Sequence, residues 1–164
     1  HRLGEGDRLM ATVDRFRRPA QHEDLLNELS GKDGPFRTLV EALMFAAALG
    51  QRRNRREEFD KSGESIRLAL MEGRVYGDVL IDMLAAVEVQ QDPKILADDR
   101  LDDRVRIFEE YANGGLSYIR GELNTAATRD LDVLIGNLVM DALTAPAEED
   151  DEVGAIMSSA DLDW

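Results

Sequence analysis

The sequence predicts an all-α protein: a single compact helical domain of five to six helices, followed by an acidic C-terminal tail. Three observations carry this expectation. Apolar residues recur at helical spacing in several separate stretches. Glycine and proline, at Pro19, Gly31, Pro35, Gly50 and Pro93, punctuate the intervals between them. The chain, 43% apolar over 164 residues and without an internal repeat, suits one hydrophobic core. Residues 1–18 read as an N-terminal arm or short strand, 19–144 as the helical domain and 145–164 as the tail.

After Pro19, the segment AQHEDLLNELSG places Leu25, Leu26 and Leu29 on one side of a short amphipathic helix, with Gly31 as its stop. KDGP then supplies a turn. Pro35 suits a first helical turn, where a missing N–H costs nothing, and FRTLVEALMFAAALG presents Phe36, Leu39, Val40, Leu43, Met44, Ala47 and Ala48 as a broad apolar face. The Ala46-Ala47-Ala48 run permits close approach of another helix, and Gly50 is the expected terminator.

The polar connection QRRNRREEFDKSGES follows. Beyond it, Ile66, Leu68 and Leu70 alternate with Arg67, Ala69 and Met71, so a short strand or hairpin near 65–76 competes with a helical turn. From Tyr76 to Val89 a second core helix is expected, burying Val79, Leu80, Met83, Leu84 and Val87. After Pro93, a stripe of Leu101, Val105, Phe108, Ala112 and Ile119 crosses Asn113-Gly114-Gly115. Two consecutive glycines cost about 2 kcal/mol in a helix interior relative to alanines, so a break is expected there. The last helix, capped by Thr128, is expected to bury Leu131, Leu134, Ile135, Leu138, Val139 and Leu143.

Charge is unevenly distributed. The formal net charge is −14, but residues 1–61 carry +1, residues 62–144 carry −8 and residues 145–164 carry −7. The tail's EEDDE block predicts a flexible terminus, and Trp164 within its acidic apolar ending is a candidate partner anchor. No apolar run is long enough to cross a bilayer, and no membrane role is expected. With no cysteine and no visible signal peptide, a cytoplasmic setting is expected.

The chemistry-bearing clusters are few. His22 has no second histidine at i+4 and reads as a surface helical residue. Asp98, Asp99, Asp102 and Asp103 suit a helix start better than a magnesium site, since no lysine or histidine accompanies them for nuclease chemistry. No metal, cofactor or catalytic constellation is expected, and the protein reads as a non-enzyme. Arg52, Arg53, Arg55 and Arg56 are the conspicuous feature, with Arg17 and Arg18 as a second group that can join them in space. Two readings stay open for them. The arginines are neutralised inside the protein at a helix C-terminus, or they grip phosphate oxygens of duplex DNA without reading bases.

Several blocks together resemble a known family. They are GPFRTLVEALMFAAALG at 34–50, the arginine-rich connection leading to SGESIRLAL, the later helix ending in DP at 92–93, and RIFEEYANGGL at 106–116. Over Arg17 to Leu143 the chain is similar to the dnd-system-associated proteins, the fourth named type of DNA phosphorothioation-associated protein. The resemblance implies a small accessory protein of a bacterial defence system that replaces a non-bridging phosphate oxygen of DNA by sulfur, or restricts DNA lacking the mark. It supplies no reaction and no catalytic residues. Expected partners are modification or restriction subunits of that system, with Glu109, Glu110 and Tyr111 as an exposed recognition edge and Asn113, Gly114 and Gly115 as a close backbone contact. Direct DNA binding through the arginine loop, and DNA mimicry or inhibition by the acidic tail, are the rival functions. The sequence leaves the oligomeric state unknown.

Overall fold

The computed structural model describes residues 13–74, 76–126 and 129–144, with the backbone only at residue 78. Six α-helices and one two-stranded pair result: β1 (Arg15–Phe16), α1 (Glu23–Leu29), α2 (Leu39–Arg52), β2 (Ile66–Arg67), α3 (Leu68–Glu72), α4 (Gly77–Glu88), α5 (Leu101–Thr125) and α6 (Leu131–Thr144). The predicted all-helical class is thus observed. The first twelve residues, Thr128 and the tail with Trp164 lie outside the described residues.

The centre of the fold is the crossing of α2 and α5. Gly114 and Gly115 do not break α5, which continues through them to Thr125. Their role is to admit backbone. A Cβ on Gly115 would stand 1.8 Å from the carbonyl oxygen of Ala46, and one on Gly50 would stand 2.2 Å from that of Tyr111. The intrinsic helical cost of the glycines is therefore offset by a contact that no larger residue permits. Ala46 and Ala47 are fully buried at this crossing, as the alanine run predicts, whereas Ala48 faces outward.

Both ends of α2 differ from expectation. Its start is Thr38, whose hydroxyl accepts from the Glu41 N–H at 3.1 Å, so Pro35 lies outside the first turn. Its end is not Gly50, which is buried within the helix. Asn54, at φ 57°, closes it instead: Asn54 N–H donates to Gln51 O at 3.0 Å and Arg55 N–H to Gly50 O at 2.7 Å. This Schellman-type pairing satisfies terminal carbonyls with an asparagine in the left-handed region.

The 13–20 segment runs antiparallel to 61–68, with Phe16 opposite Ile66 and Arg15 opposite Arg67. Phe16 is buried edge-on against Phe108 with ring centroids 5.4 Å apart. The ambiguous 66–71 stretch serves both expected structures, two residues of strand and then a helical turn, with β1 as partner instead of a local hairpin.

Helix α4 sits as predicted but is rotated. It buries Ile81, Leu84 and Ala85, while Val79, Met83 and Val87 are exposed. The helix is apolar on several sides, so spacing alone leaves its facing open. Polar links from one flank fix it: Asp82 pairs with Arg104 at 2.8 Å, and Glu88 bonds Arg56 and Tyr111. Helix α6 is capped by Asp130, whose carboxylate accepts from Asp132 N–H at 2.9 Å. It buries Leu134, Ile135 and Leu138, but Val139 and Leu143 are exposed, against expectation.

Gly115→Ala should destabilise the protein by more than about 2 kcal/mol, because two backbones must separate. Gly121→Ala, in the same helix but with nothing within 4 Å of the added carbon, should be neutral or stabilising by up to about 1 kcal/mol. Urea denaturation of both variants beside the parent checks the contrast.

Candidate functional site

The arginine loop and the FEEYANGG stretch, far apart in sequence, form one structure. After Asn54 the chain lies along α5, where Glu57 N–H donates to Glu110 O at 3.0 Å. A Cβ on Gly114 would stand 1.9 Å from the Arg55 carbonyl oxygen, so this glycine also exists for backbone contact. Asn113, fully buried, donates from Nδ2 to Glu57 O at 3.1 Å and Glu58 O at 3.4 Å, and its Oδ1 accepts from Gln21 at 3.0 Å. A side-chain amide thus supplies the backbone partners that the irregular loop lacks.

The guanidiniums are held from within. Arg56 Nε donates to Glu110 and its Nη1 to Glu88, each at 2.7 Å, and Glu88 also accepts from the Tyr111 hydroxyl. Arg55 pairs with Glu57 at 3.0 Å, Arg52 donates to Ala142 O at 3.0 Å, and Arg53 lies 4.9 Å from the Tyr118 ring centre. Arg17 pairs with Glu109 at 3.0 Å and covers Phe59 at 4.4 Å, while its backbone N–H donates to the same carboxylate at 2.6 Å. Arg18 pairs with Glu23 at 3.0 Å. Arg17 and Arg56, one from each arginine group, bind adjacent residues of α5, Glu109 and Glu110.

The expected exposed edge is therefore corrected. Glu109, Glu110 and Tyr111 are 4%, 5% and 3% exposed, because they anchor the cations and the crossing from beneath. Asn113, Gly114 and Gly115 make their close backbone contacts within the chain. Burial works to raise the Glu88 carboxyl, yet the Tyr111 hydroxyl and Arg56 overcome it and hold the group below the usual carboxylate range. On Arg56, burial opposes the charge, but Glu88 and Glu110 raise its pKa further.

His22 is also corrected from surface to interior. At 4% exposure its Nδ1 accepts from Arg120 Nε at 3.3 Å, which leaves the proton on Nε2, 3.2 Å from the Ser117 hydroxyl. Ser117 in turn donates to Glu57 at 2.7 Å. The ring's partners lie 95 and 98 residues away, so no local signal in the sequence exposes this relay. Burial, then Arg120, lowers the His22 pKa to about 4, with Glu57 acting in the opposite direction. Among the aspartates, Asp103 pairs with Arg100, which reaches Asp92 as well. No group of three or more potential metal ligands occurs among the described residues.

Two predictions follow from these geometries. Arg56→Met should cost about 3 kcal/mol by leaving Glu110 buried without its cation, and Arg56→Met with Glu110→Gln should recover part of it in thermal melts. For His22, the unfolded chain binds the proton near pH 6.5 and the folded one only near pH 4. Stability is thus full above 6.5 and falls as pH drops through this window, by up to about 3 kcal/mol. Denaturation of the parent and His22→Gln at several pH values should show their difference narrowing toward pH 4.

No curated protein and no solved structure matches the chain. A family model does match, from residue 15 to 156, and so takes in every element from the first residue of β1 through α6. With both the arginine loop and its cradle on α5 inside the matched span, the chain belongs to the family of DNA sulphur modification system-associated protein 4.

Proposed function

We propose that the protein is a non-enzymatic accessory component of a DNA sulphur modification system, acting through contacts with modification or restriction subunits of that system. The observation that carries this reading is the apolar outer face of α4. Val79, Met83 and Val87 follow one another at helical spacing and are 39%, 60% and 46% exposed, with Tyr76, 76% exposed, just before the helix. A row of large apolar side chains in water is costly unless a partner covers it, and a helix face of this kind suits docking into an apolar groove. Val133, Met140 and Leu143 on α6 add a second exposed apolar row. No described helix is long and apolar enough to cross a membrane.

The arginine loop supports the same preference. For Arg56 to transfer its bonds to a DNA phosphate it must leave Glu88 and Glu110, and Glu110 would remain buried as an unpaired charge. Breaking such a pair costs about 3–5 kcal/mol, more than one phosphate contact returns. The other guanidiniums are spent on carboxylates, a carbonyl and an aromatic ring. Their contribution is to pin the loop on α5, which holds α4 in place through Glu88.

Met83→Asp with Val87→Asp should abolish retention of subunits of the same system in affinity pull-down, with only a small effect on the thermal melt because the two side chains are 60% and 46% exposed. In parallel, the parent should bind duplex DNA weakly, with little salt dependence. Unchanged partner retention by the α4 variant, with steeply salt-dependent DNA binding lost on Arg53→Ala, would instead establish the DNA-binding reading.

A further inference from the structure

We propose that the groove between the 35–38 loop and the turn after α3 is a docking site for an acidic peptide segment of a partner protein, one that carries apolar residues beside its carboxylates. The groove encloses about 520 Å³ and is lined by Arg37 and Arg74 above Pro35, Phe36 and Met44, with Glu41 at one side. Arg17, Arg18, Arg55, Arg56, Arg100 and Arg104 each have a carboxylate partner, whereas Arg37 and Arg74 have none among the described residues. Arg74 Nε is withdrawn from solvent with no acceptor within the described chain. The Arg74 guanidinium is thus left without a countercharge among the described residues, and a carboxylate entering the groove would supply one.

The surroundings favour an anion further and define its kind. Arg37 immediately precedes Thr38, the cap of the fourteen-residue helix α2, so the positive end of that helix adds to the field of the two arginines. Phe36 and Met44 are only partly buried and form an apolar floor beside the cations. Two cations over such a floor match carboxylates alternating with apolar side chains. A nucleic-acid backbone would present regularly spaced phosphates with no apolar component to meet this floor. The proposal rests on the reading that the protein works through protein contacts, and adds a second site and the chemistry that it recognises.

The test is fluorescence anisotropy of the full chain with a labelled peptide of alternating aspartate and leucine. A matched peptide of alternating asparagine and leucine and a short DNA duplex serve as separate probes. The acidic peptide should bind, the neutral one at least tenfold more weakly, and Arg37→Ala with Arg74→Ala should lower affinity for the acidic peptide at least tenfold. Glu41→Gln, which removes the opposing charge, should tighten binding several-fold, and this gain keeps the test decisive if the double variant folds poorly. Equal binding of the two peptides, no response to either set of substitutions, or duplex binding that depends on Arg37 and Arg74 and is not displaced by the acidic peptide would overturn the proposal. Peptide binding reads this groove alone, and subunit retention by the α4 variant reads the broader function, so failure of one is distinguishable from failure of the other.

Discussion

The structure depends on how closely α2 and α5 approach. Gly115 against the Ala46 carbonyl and Gly50 against the Tyr111 carbonyl bring two helix backbones into contact where side chains would normally intervene. That approach sets the position of the α2 C-terminus relative to α5. The loop leaving α2 at Asn54 is consequently delivered onto Gly114 and Asn113, and its polar backbone finds partners there. If the helices stood a side chain further apart, Asn113 would not reach the Glu57 and Glu58 carbonyls, and the loop would lack its seat.

The charge distribution follows from this seating. Residues 1–61 are nearly neutral and residues 62–144 strongly acidic, yet the two parts are not electrostatically separate. Arg17 meets Glu109, and Arg56 meets Glu110 and Glu88, so cations of the first part neutralise buried acids of the second. Nearby acids in the loop serve only in part: Glu57 takes Arg55 and the Ser117 hydroxyl, while Arg56 reaches past its neighbours to two helices. One cation between Glu88 on α4 and Glu110 on α5 couples helix rotation to loop position. The orientation of α4, and hence the apolar row that it presents outward, is tied to the arginine cluster through that bridge.

A reading of the protein as an accessory component assigns different work to the inside and the outside of the fold. Glu109, Glu110, Tyr111 and Asn113, which looked functional in sequence, are turned inward, where they set geometry. Apolar rows on α4 and α6, and two arginines beside an apolar floor, are among the features that the described surface offers to other molecules. An adaptor needs this division, since a rigid interior keeps the exposed faces preorganised and reduces the ordering cost of association.

Local patterning was enough for the helical class, the placement of α1, α2, α4 and α6 to within a few residues, the start of α5 though not its unbroken course, and the family resemblance that the matched span supports. Periodicity reports these because burying one side of a helix constrains residues only a few positions apart. It could not report which side of α4 is buried, since Val79, Met83 and Val87 repeat as regularly as Ile81, Leu84 and Ala85 fill the core. Nor could it give the use of Gly50, Gly114 and Gly115, which read locally as stops and breaks. Those three positions, the interior place of His22 and the inward turn of Glu109, Glu110 and Tyr111 were decided only by tertiary structure. Their partners lie tens of residues away, and the free energy of a buried ion pair or a backbone contact depends on what the fold brings alongside, which no local pattern encodes.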